Sequence, residues 1–288
     1  MTSQKTPIRI VTDSAARLPP DWAKENGVIV LPHTITLEGC DFREDVDLDE
    51  TGLAEKLARF PAPFTVAGPH IDDFSRVYKE LADAKSDVIS LHISSGLSET
   101  VQNAMRARED YRGRCNIQVI DSQSMALGLN ELVRAAVDLV NRNYSLESIV
   151  KQLRGLMQNI YGIFISDDMR FLEHSRRLRP AQAILGNMLE IIPCLSLEEG
   201  NLVAVEKVRS PERAIEKLTE FAGEFDARAE IAVLQMLPQH TARTNALLES
   251  LKLAFPRKAS IEVFSCGINV GSIIGPTGIG VMIYEGKI

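Results

Sequence analysis

Short apolar runs alternate with amphipathic helical patterns through the first half of the chain, and this alternation limits the folds that it can adopt. Buried strands are predicted from four runs rich in branched apolar residues, at 8–12, 28–31, 87–93 and 117–120. Helical spacing of apolar residues separates them, most clearly at 72–84, 97–112 and 125–142. Strands joined through helices are typical of crossover connections, so the sequence predicts an α/β fold with a mainly parallel sheet flanked by helices.

The second half of the chain has a different order of elements. Residues 191–197 and 202–208 have strand character, and the intervening Glu-Glu-Gly-Asn favours a hairpin. A helix is predicted at 179–188, after the basic stretch HSRRLR. Since hairpin strands mixed with helices are typical of α+β architecture, we expect two domains. Residues 1–155 would form the N-terminal α/β domain, and residues 156–288 a C-terminal α+β domain with a mixed or antiparallel sheet.

Composition narrows the class of protein. The 288 residues are 45% hydrophobic and 25% charged, which is typical of globular proteins and excludes disorder for most of the chain. The formal net charge of −7 argues against general nucleic-acid binding, because phosphates require surplus cations. No apolar run approaches the roughly 20 residues of a membrane span, and the first residues lack the apolar core of a secretion signal. We therefore predict a cytoplasmic protein.

Metal and disulfide chemistry are not predicted. The four cysteines are widely spaced and form no CxxC pair, and the five histidines include no HExxH motif. We expect the cysteines to be reduced and mostly buried, where they behave as small hydrophobic residues. The sequence thus predicts no metal site.

Hydroxyl-bearing turns follow three strands of the first half, and the most prominent is SSGLSET at 94–100. In an open parallel sheet, ligands bind beyond the carboxyl ends of the strands. The segment is also predicted to open a helix, whose free amide groups favour an anion. A carboxylate or phosphate could therefore bind at Ser94–Ser98. The alternative is that Ser94 or Ser95 only caps the helix, and both roles are compatible.

Two other kinds of site are weaker hypotheses. His92 and Ser94 are two residues apart, but the sequence has no GxSxG motif and offers no third group to orient the histidine, so His92 is more consistent with a buried structural residue. GPTGIG near the C-terminus is rich in glycine, yet it precedes a strand and does not match a Walker loop or a dinucleotide fingerprint.

Several motifs together resemble the DegV family over residues 8–284. Four of them occur in the family's order: IVTDSAARLP, HISSGLSETVQNA, VIDSQSMALGL and GSIIGPTGIG. The long segment FISDDMRFLEHSRRLRPAQAILGNMLEIIPCLSLEEGNLVAVEKVR resembles the core of the family's second domain. Each motif is weak by itself, and it is their order and spacing that are specific.

The resemblance implies a function that composition could not indicate. Proteins of this family bind one long-chain fatty acid in a buried tunnel, with its carboxylate between the two domains. Characterised members are the binding subunit of a bacterial fatty acid kinase, and a separate ATP-using subunit phosphorylates the carboxylate. The binding protein performs no bond chemistry itself, so the resemblance implies a non-enzymatic protein without cofactors, whose partners are the fatty acid and a kinase subunit.

Site residues follow from matching the motifs. SSGLSET matches the family's SSGLSGT, which implies that the carboxylate is bound by Ser95 and Ser98, with Ser94 and Gly96 beside them. Two basic residues match family arginines and are implied contacts to a partner, namely Arg177 in HSRRLR and Arg209 in KVRS.

The sequence departs from the family pattern at two places. The family's TSQPS is replaced by FTVAGPH, so Val66 occupies the position of a carboxylate-binding Thr, unless a shift of one residue places Thr65 there. The family's GTHxGPG is replaced by GSIIGP, which puts Ile273 at the histidine position. Each hydrogen bond lost to a charged group is worth about 1.5–3 kcal/mol. Two alternatives therefore stay open: a non-catalytic carrier or regulator that binds another lipid, and a Ser-dependent enzyme acting on a small molecule.

Overall fold

The described part of the chain contains three β-sheets. The computed structural model describes residues 6–59, 64–166, 168–175, 191–226, 229–256 and 261–286. The strands of the first half are β1 (Ile8–Asp13), β2 (Val28–Leu31), β3 (Thr34–Leu37), β4 (Cys40–Arg43), β5 (Thr65–Ala67), β6 (Asp87–His92) and β7 (Ile117–Asp121). Those of the second half are β8 (Ile160–Ile165), β9 (Ile192–Glu198), β10 (Asn201–Val208), β11 (Glu230–Gln235), β12 (Glu262–Ser265) and β13 (Ile279–Tyr284).

Ten α-helices occur in the described part of the chain. Those of the first half are α1 (Pro20–Glu25), α2 (Glu50–Arg59), α3 (Ile71–Asp83), α4 (Thr100–Arg108), α5 (Ala126–Asn141) and α6 (Leu146–Met157). The second half adds α7 (Met169–His174), α8 (Pro211–Ala222), α9 (Ala242–Ala254) and α10 (Gly267–Ile274). The predicted helix at 179–188 lies outside the described residues.

The first sheet has the predicted parallel arrangement. Its strand order is β2-β1-β6-β7, and all three pairings are parallel. Successive side chains of a strand point to opposite faces, so Ile10 of β1 packs with α5 and α6, whereas the neighbouring Val11 packs with α3 and α4. Burial on both faces explains why these strands read as continuous apolar runs rather than as an alternating pattern.

The second large sheet is mixed, as expected. Its order is β10-β9-β8-β13-β11-β12, in which only β11 and β12 pair in parallel. Apolar residues of α8 and α9 cover one face, and α5 reaches the other, where Leu129 and Met282 belong to the same core cluster. The predicted hairpin is confirmed: Glu199 and Gly200 between β9 and β10 both have positive φ, at 46° and 78°, which is the signature of a type I′ turn.

Two features differ from the sequence predictions. The segment after β6 does not open a helix directly, because α4 begins only at Thr100. The glycine-rich tail contains a helix, α10, whose residues are all buried. Gly271 lies in it so close to Met236 that a Cβ would be 2.1 Å from the sulfur, so close packing accounts for a residue with poor helix propensity.

A small antiparallel sheet, β4-β3-β5, lies beside the parallel sheet and was not predicted as a unit. Strand β5 is only three residues long and contacts α10 of the second half. Residues of both halves therefore meet around β5, and the candidate site lies there.

Candidate functional site

The serine-rich turn after β6 forms hydrogen bonds mainly within the protein. The buried Ser94 hydroxyl donates to the carbonyl of Gly200 at 2.7 Å, and so ties the turn to the β9–β10 hairpin. The exposed Ser95 hydroxyl donates to Asp121 at the end of β7. Ser98 bonds the Thr100 hydroxyl at 2.8 Å. These three serines were predicted to bind an anion, and in the structure each hydroxyl has a protein partner.

The amide groups of the same turn are also engaged. Leu97 N and Ser98 N donate to the carbonyl of Ser94, and Gly96 N donates to its hydroxyl. Gly96 permits close approach of the hairpin, since a Cβ there would lie 2.5 Å from Asn201 Oδ1. The predicted free helix start at this position is therefore wrong: the turn closes on itself, and α4 begins beyond it.

A buried polar chain lies beneath the carboxyl edge of the parallel sheet. Asp13 Oδ2 accepts a hydrogen bond from the Ile93 amide and lies 3.0 Å from His92 Nδ1. His92 Nε2 lies 2.6 Å from the Ser90 hydroxyl, which in turn bonds Tyr78. Burial acts to raise the pKa of the Asp13 carboxyl, but the His92 hydrogen bond, the charges of His33 and His92 and the Ile93 amide together hold that pKa below its ordinary value.

This chain has the connectivity of a Ser-His-Asp triad, with Asp13 as the third group that sequence reasoning did not find. Ser90, His92 and Asp13 are each 0% exposed. A substrate cannot reach a nucleophile in that position, and Ser90 is held by Tyr78 as well. The prediction that His92 is a buried structural histidine is confirmed, and these bonds stabilise the edge of the sheet.

His33 occupies a second buried position in the same region. Its Nδ1 lies 2.9 Å from the Ser14 hydroxyl, which also donates to Glu44, and its Nε2 lies 3.3 Å from Thr100 Oγ1. Burial lowers the pKa of His33 below its ordinary value, although the carboxylates of Asp13 and Glu99 oppose the shift. The imidazole is therefore neutral in the folded protein near pH 7.

We expect this histidine to make folding pH-dependent. At pH values between the ordinary pKa of about 6.5 and the lower folded pKa, His33 is protonated in the unfolded chain but neutral in the native state. The free energy of unfolding therefore falls as the pH decreases below about 6.5. The slope contributed is at most about 1.4 kcal/mol per pH unit. Urea unfolding of His33→Gln between about pH 5 and 7.5 should show a flatter profile. The exposed control His240→Gln should keep the wild-type slope, and an equal slope in all three would contradict a neutral His33.

A cavity of about 170 Å³ lies where β5, the serine-rich turn, α7 and α10 meet. Its apolar lining consists of Phe64, Val66, Leu97 and Ile273. Its polar lining consists of Thr65, His174, Ser175, Asn269 and Ser272. The volume resembles that of an engineered cavity of about 150 Å³ that binds benzene, and it is below the roughly 300–1,000 Å³ of typical small-molecule pockets.

The cavity brings together some of the predicted residues and not others. Thr65 and Ile273 both line it, although they are 208 positions apart in sequence, and so does Val66. Leu97 is the member of the serine-rich turn that reaches it. Ser98 lies beside the loop after β5, since a Cβ on Gly68 would be 2.9 Å from its hydroxyl.

The lining also contains residues that the sequence did not single out. Asn269 and Ser272 project from α10, and His174 and Ser175 lie at the end of α7. The signal that could have found Asn269 is a carboxamide within the stretch 267–274, whose only other polar side chain is Ser272.

Of the two predicted partner-contact arginines, Arg209 is exposed just after β10, and Arg177 lies outside the described residues. Among the residues with described positions, no group of three or more His, Cys, Asp or Glu could hold a metal ion. No helix in the same part of the chain is both long and apolar enough to cross a membrane.

The fold and the site define a class: an α/β protein with a parallel and a mixed sheet, whose two halves border a small, partly open cavity lined by both apolar and polar residues. A model described as "Uncharacterised protein, DegV family" matches residues 7–286. The DegV domain-containing protein TTE1491 of Caldanaerobacter subterraneus is 30% identical, over 96% of this chain and 99% of that relative. The chain belongs to the DegV family.

Two solved structures are similar over almost their entire length. One shows fatty acid binding of a DegV family protein from Thermus thermophilus, with a TM-score of 0.81 and 30% identity over 97% of this chain and 99% of that one. The other is DegV, a fatty acid binding protein from Bacillus subtilis, with a TM-score of 0.83 and 25% identity over 98% of this chain and 100% of that one.

Proposed function

We propose that the protein binds one long-chain fatty acid and that the acid's carboxylate lies in the cavity between β5 and α10. The observation that carries this proposal is the position of the cavity: it joins Ile273 with Val66 and Thr65, and these positions match carboxylate-binding positions of the family pattern, Thr65 only if the loop is shifted by one residue. The similar Thermus thermophilus and Bacillus subtilis proteins, which bind fatty acids, support the ligand class.

The acyl chain extends from the cavity into the apolar core. The 170 Å³ accommodates the headgroup and the first few carbons, so a longer chain has to separate side chains that now pack together. Phe64 and Phe171 meet there edge to face, with ring centroids 6.2 Å apart. Each buried methylene contributes about 0.8 kcal/mol, so a chain of about 16 carbons can offset the cost of opening this packing.

The protein presents the bound acid to a separate kinase and does not itself make or break bonds. A carboxylate oxygen of the acid attacks the γ-phosphorus of ATP on the partner, which yields an acyl phosphate and ADP. The exposed Arg209 next to β10 is a proposed partner contact. Within the described residues the Ser-His-Asp chain is fully buried, which favours binding over autonomous hydrolysis.

Native mass spectrometry of the purified protein tests the proposal. We expect one equivalent of a C14–C18 acid, either co-purified or bound on incubation, and acyl phosphate formation when a DegV-type kinase and ATP are added. Tight binding without acyl phosphate would contradict the kinase role alone. A protein that binds a fatty alcohol but no acid would support the lipid-carrier alternative, which the apolar Ile273 favours. A protein that binds neither the alcohol nor the acid would reject fatty-acid binding and the lipid-carrier alternative alike.

A further inference from the structure

Asn269 presents a buried polar group that is not hydrogen-bonded within the described residues. Its side chain projects from α10 into the lining of the cavity and is only 7% exposed. Its Nδ2 has no hydrogen-bond partner in the described structure. Since most buried polar atoms have a partner and an unmatched donor is costly, a donor left in this state beside a cavity indicates that the partner is a ligand atom.

The neighbouring hydroxyls do not compete with Asn269 as donors. Ser272 donates to the carbonyl of Asn269 at 2.8 Å, and Ser175 donates to the carbonyl of Leu172 at 3.1 Å. Both hydroxyl protons are therefore committed to the protein. Ile273, the next residue on α10, contributes only apolar surface. Of the α10 side chains in the lining, only Asn269 has protons to offer a ligand.

We infer that Asn269 Nδ2 donates a hydrogen bond to the carboxylate of the bound fatty acid and thereby selects the headgroup. This inference rests on the proposed function. A carboxamide carries no charge, so it recognises an acceptor oxygen without an ion pair. Asn269 thus supplies, from a different position on α10, the hydrogen-bond donor that the side chain of Ile273 lacks.

Replacing the donor should reverse the preference between headgroups. In Asn269→Asp the ligand's carboxylate meets a second carboxyl group, so binding requires either repulsion between two charges or uptake of a proton at neutral pH, and hexadecanoate should bind at least about 100-fold more weakly. Hexadecanol should bind within about threefold of its wild-type affinity, because its hydroxyl can donate to Asp. Dissociation constants for both ligands, measured by fluorescence displacement, test this expectation. Asn245→Asp on the exposed surface of α9 makes the same change away from the cavity and should alter neither.

A second variant separates binding from folding. Asn269→Leu has nearly the same shape without polar atoms, so it should weaken hexadecanoate about 10-fold to 100-fold while the ligand-free protein unfolds at the wild-type temperature or above. A lower unfolding temperature would show that the amide is bonded within the protein and would overturn the inference. Unchanged hexadecanoate affinity in both variants would overturn it and leave the proposed function intact. A wild-type protein that binds no fatty acid would contradict the proposed function and, with it, the role of Asn269.

Discussion

Thr65→Trp should weaken the binding of hexadecanoate by at least about 100-fold with little change in stability. Thr65 lies on the short strand β5, exposed on one side and lining the cavity on the other. An indole at this position fills much of a 170 Å³ space and blocks the headgroup. Because Thr65 is exposed, the larger side chain can be accommodated without the strain that overpacking produces in a core.

Titration calorimetry and thermal unfolding on the same samples separate these two effects. Thr51→Trp, which replaces an exposed threonine on α2 outside the cavity lining, is the matched control and should bind hexadecanoate like the wild type. If Thr65→Trp retained wild-type affinity, the carboxylate would have to bind elsewhere.

Asp13→Asn should lower the free energy of unfolding by about 3–5 kcal/mol, because the buried carboxylate has several hydrogen-bond partners and each buried group left unmatched costs about 1–3 kcal/mol. The carboxylate accepts hydrogen bonds from the amides of Ala15 and Ile93 and bonds His92. An amide in its place directs N–H groups toward donors and leaves buried groups unmatched. For a chain of this size the unfolding temperature should fall by roughly 5–8 °C.

The stability difference between the wild type and Asp13→Asn should depend on pH, because the pKa of Asp13 is shifted in the folded protein. Because its folded pKa lies below the unfolded value of about 3.9, the stabilisation is present above that value and disappears as pH falls through the folded pKa. Wild-type and variant stabilities should therefore converge in strong acid. Asp21→Asn, an exposed substitution on α1, should change stability by less than about 0.5 kcal/mol. An equally small effect at Asp13 would contradict the role given to the buried chain.

The large sheets could be predicted because their signals are local. Strands such as β1 and β6 are short branched runs followed by helices, and the Glu199-Gly200 turn has the chemistry that a hairpin requires. Helix α10 could not be recognised in the same way, because its two glycines have low helix propensity and its stability comes from packing on all sides. Strand β5 is too short to stand out, and the four residues of β4 include two charged side chains.

The site was less predictable because it depends on distant partners. Whether Ser94 faces a ligand or the protein depends on Gly200, which follows it by 106 residues. The resemblance led to Val66, with Thr65 as its alternative, and to Ile273, and all three line one cavity. Asn269 was missed because its significance comes from an unmatched donor, which is a property of the folded protein rather than of a motif.

The position of the bound headgroup decides whether the cavity between β5 and α10 is the ligand site. Hexadecanoic acid labelled with ¹³C at carbon 2 is added to the protein, and nuclear Overhauser contacts from the labelled methylene are recorded. We expect contacts to the methyl groups of Thr65, Leu97 and Ile273. A bound acid whose labelled methylene contacts none of these residues would contradict this expectation.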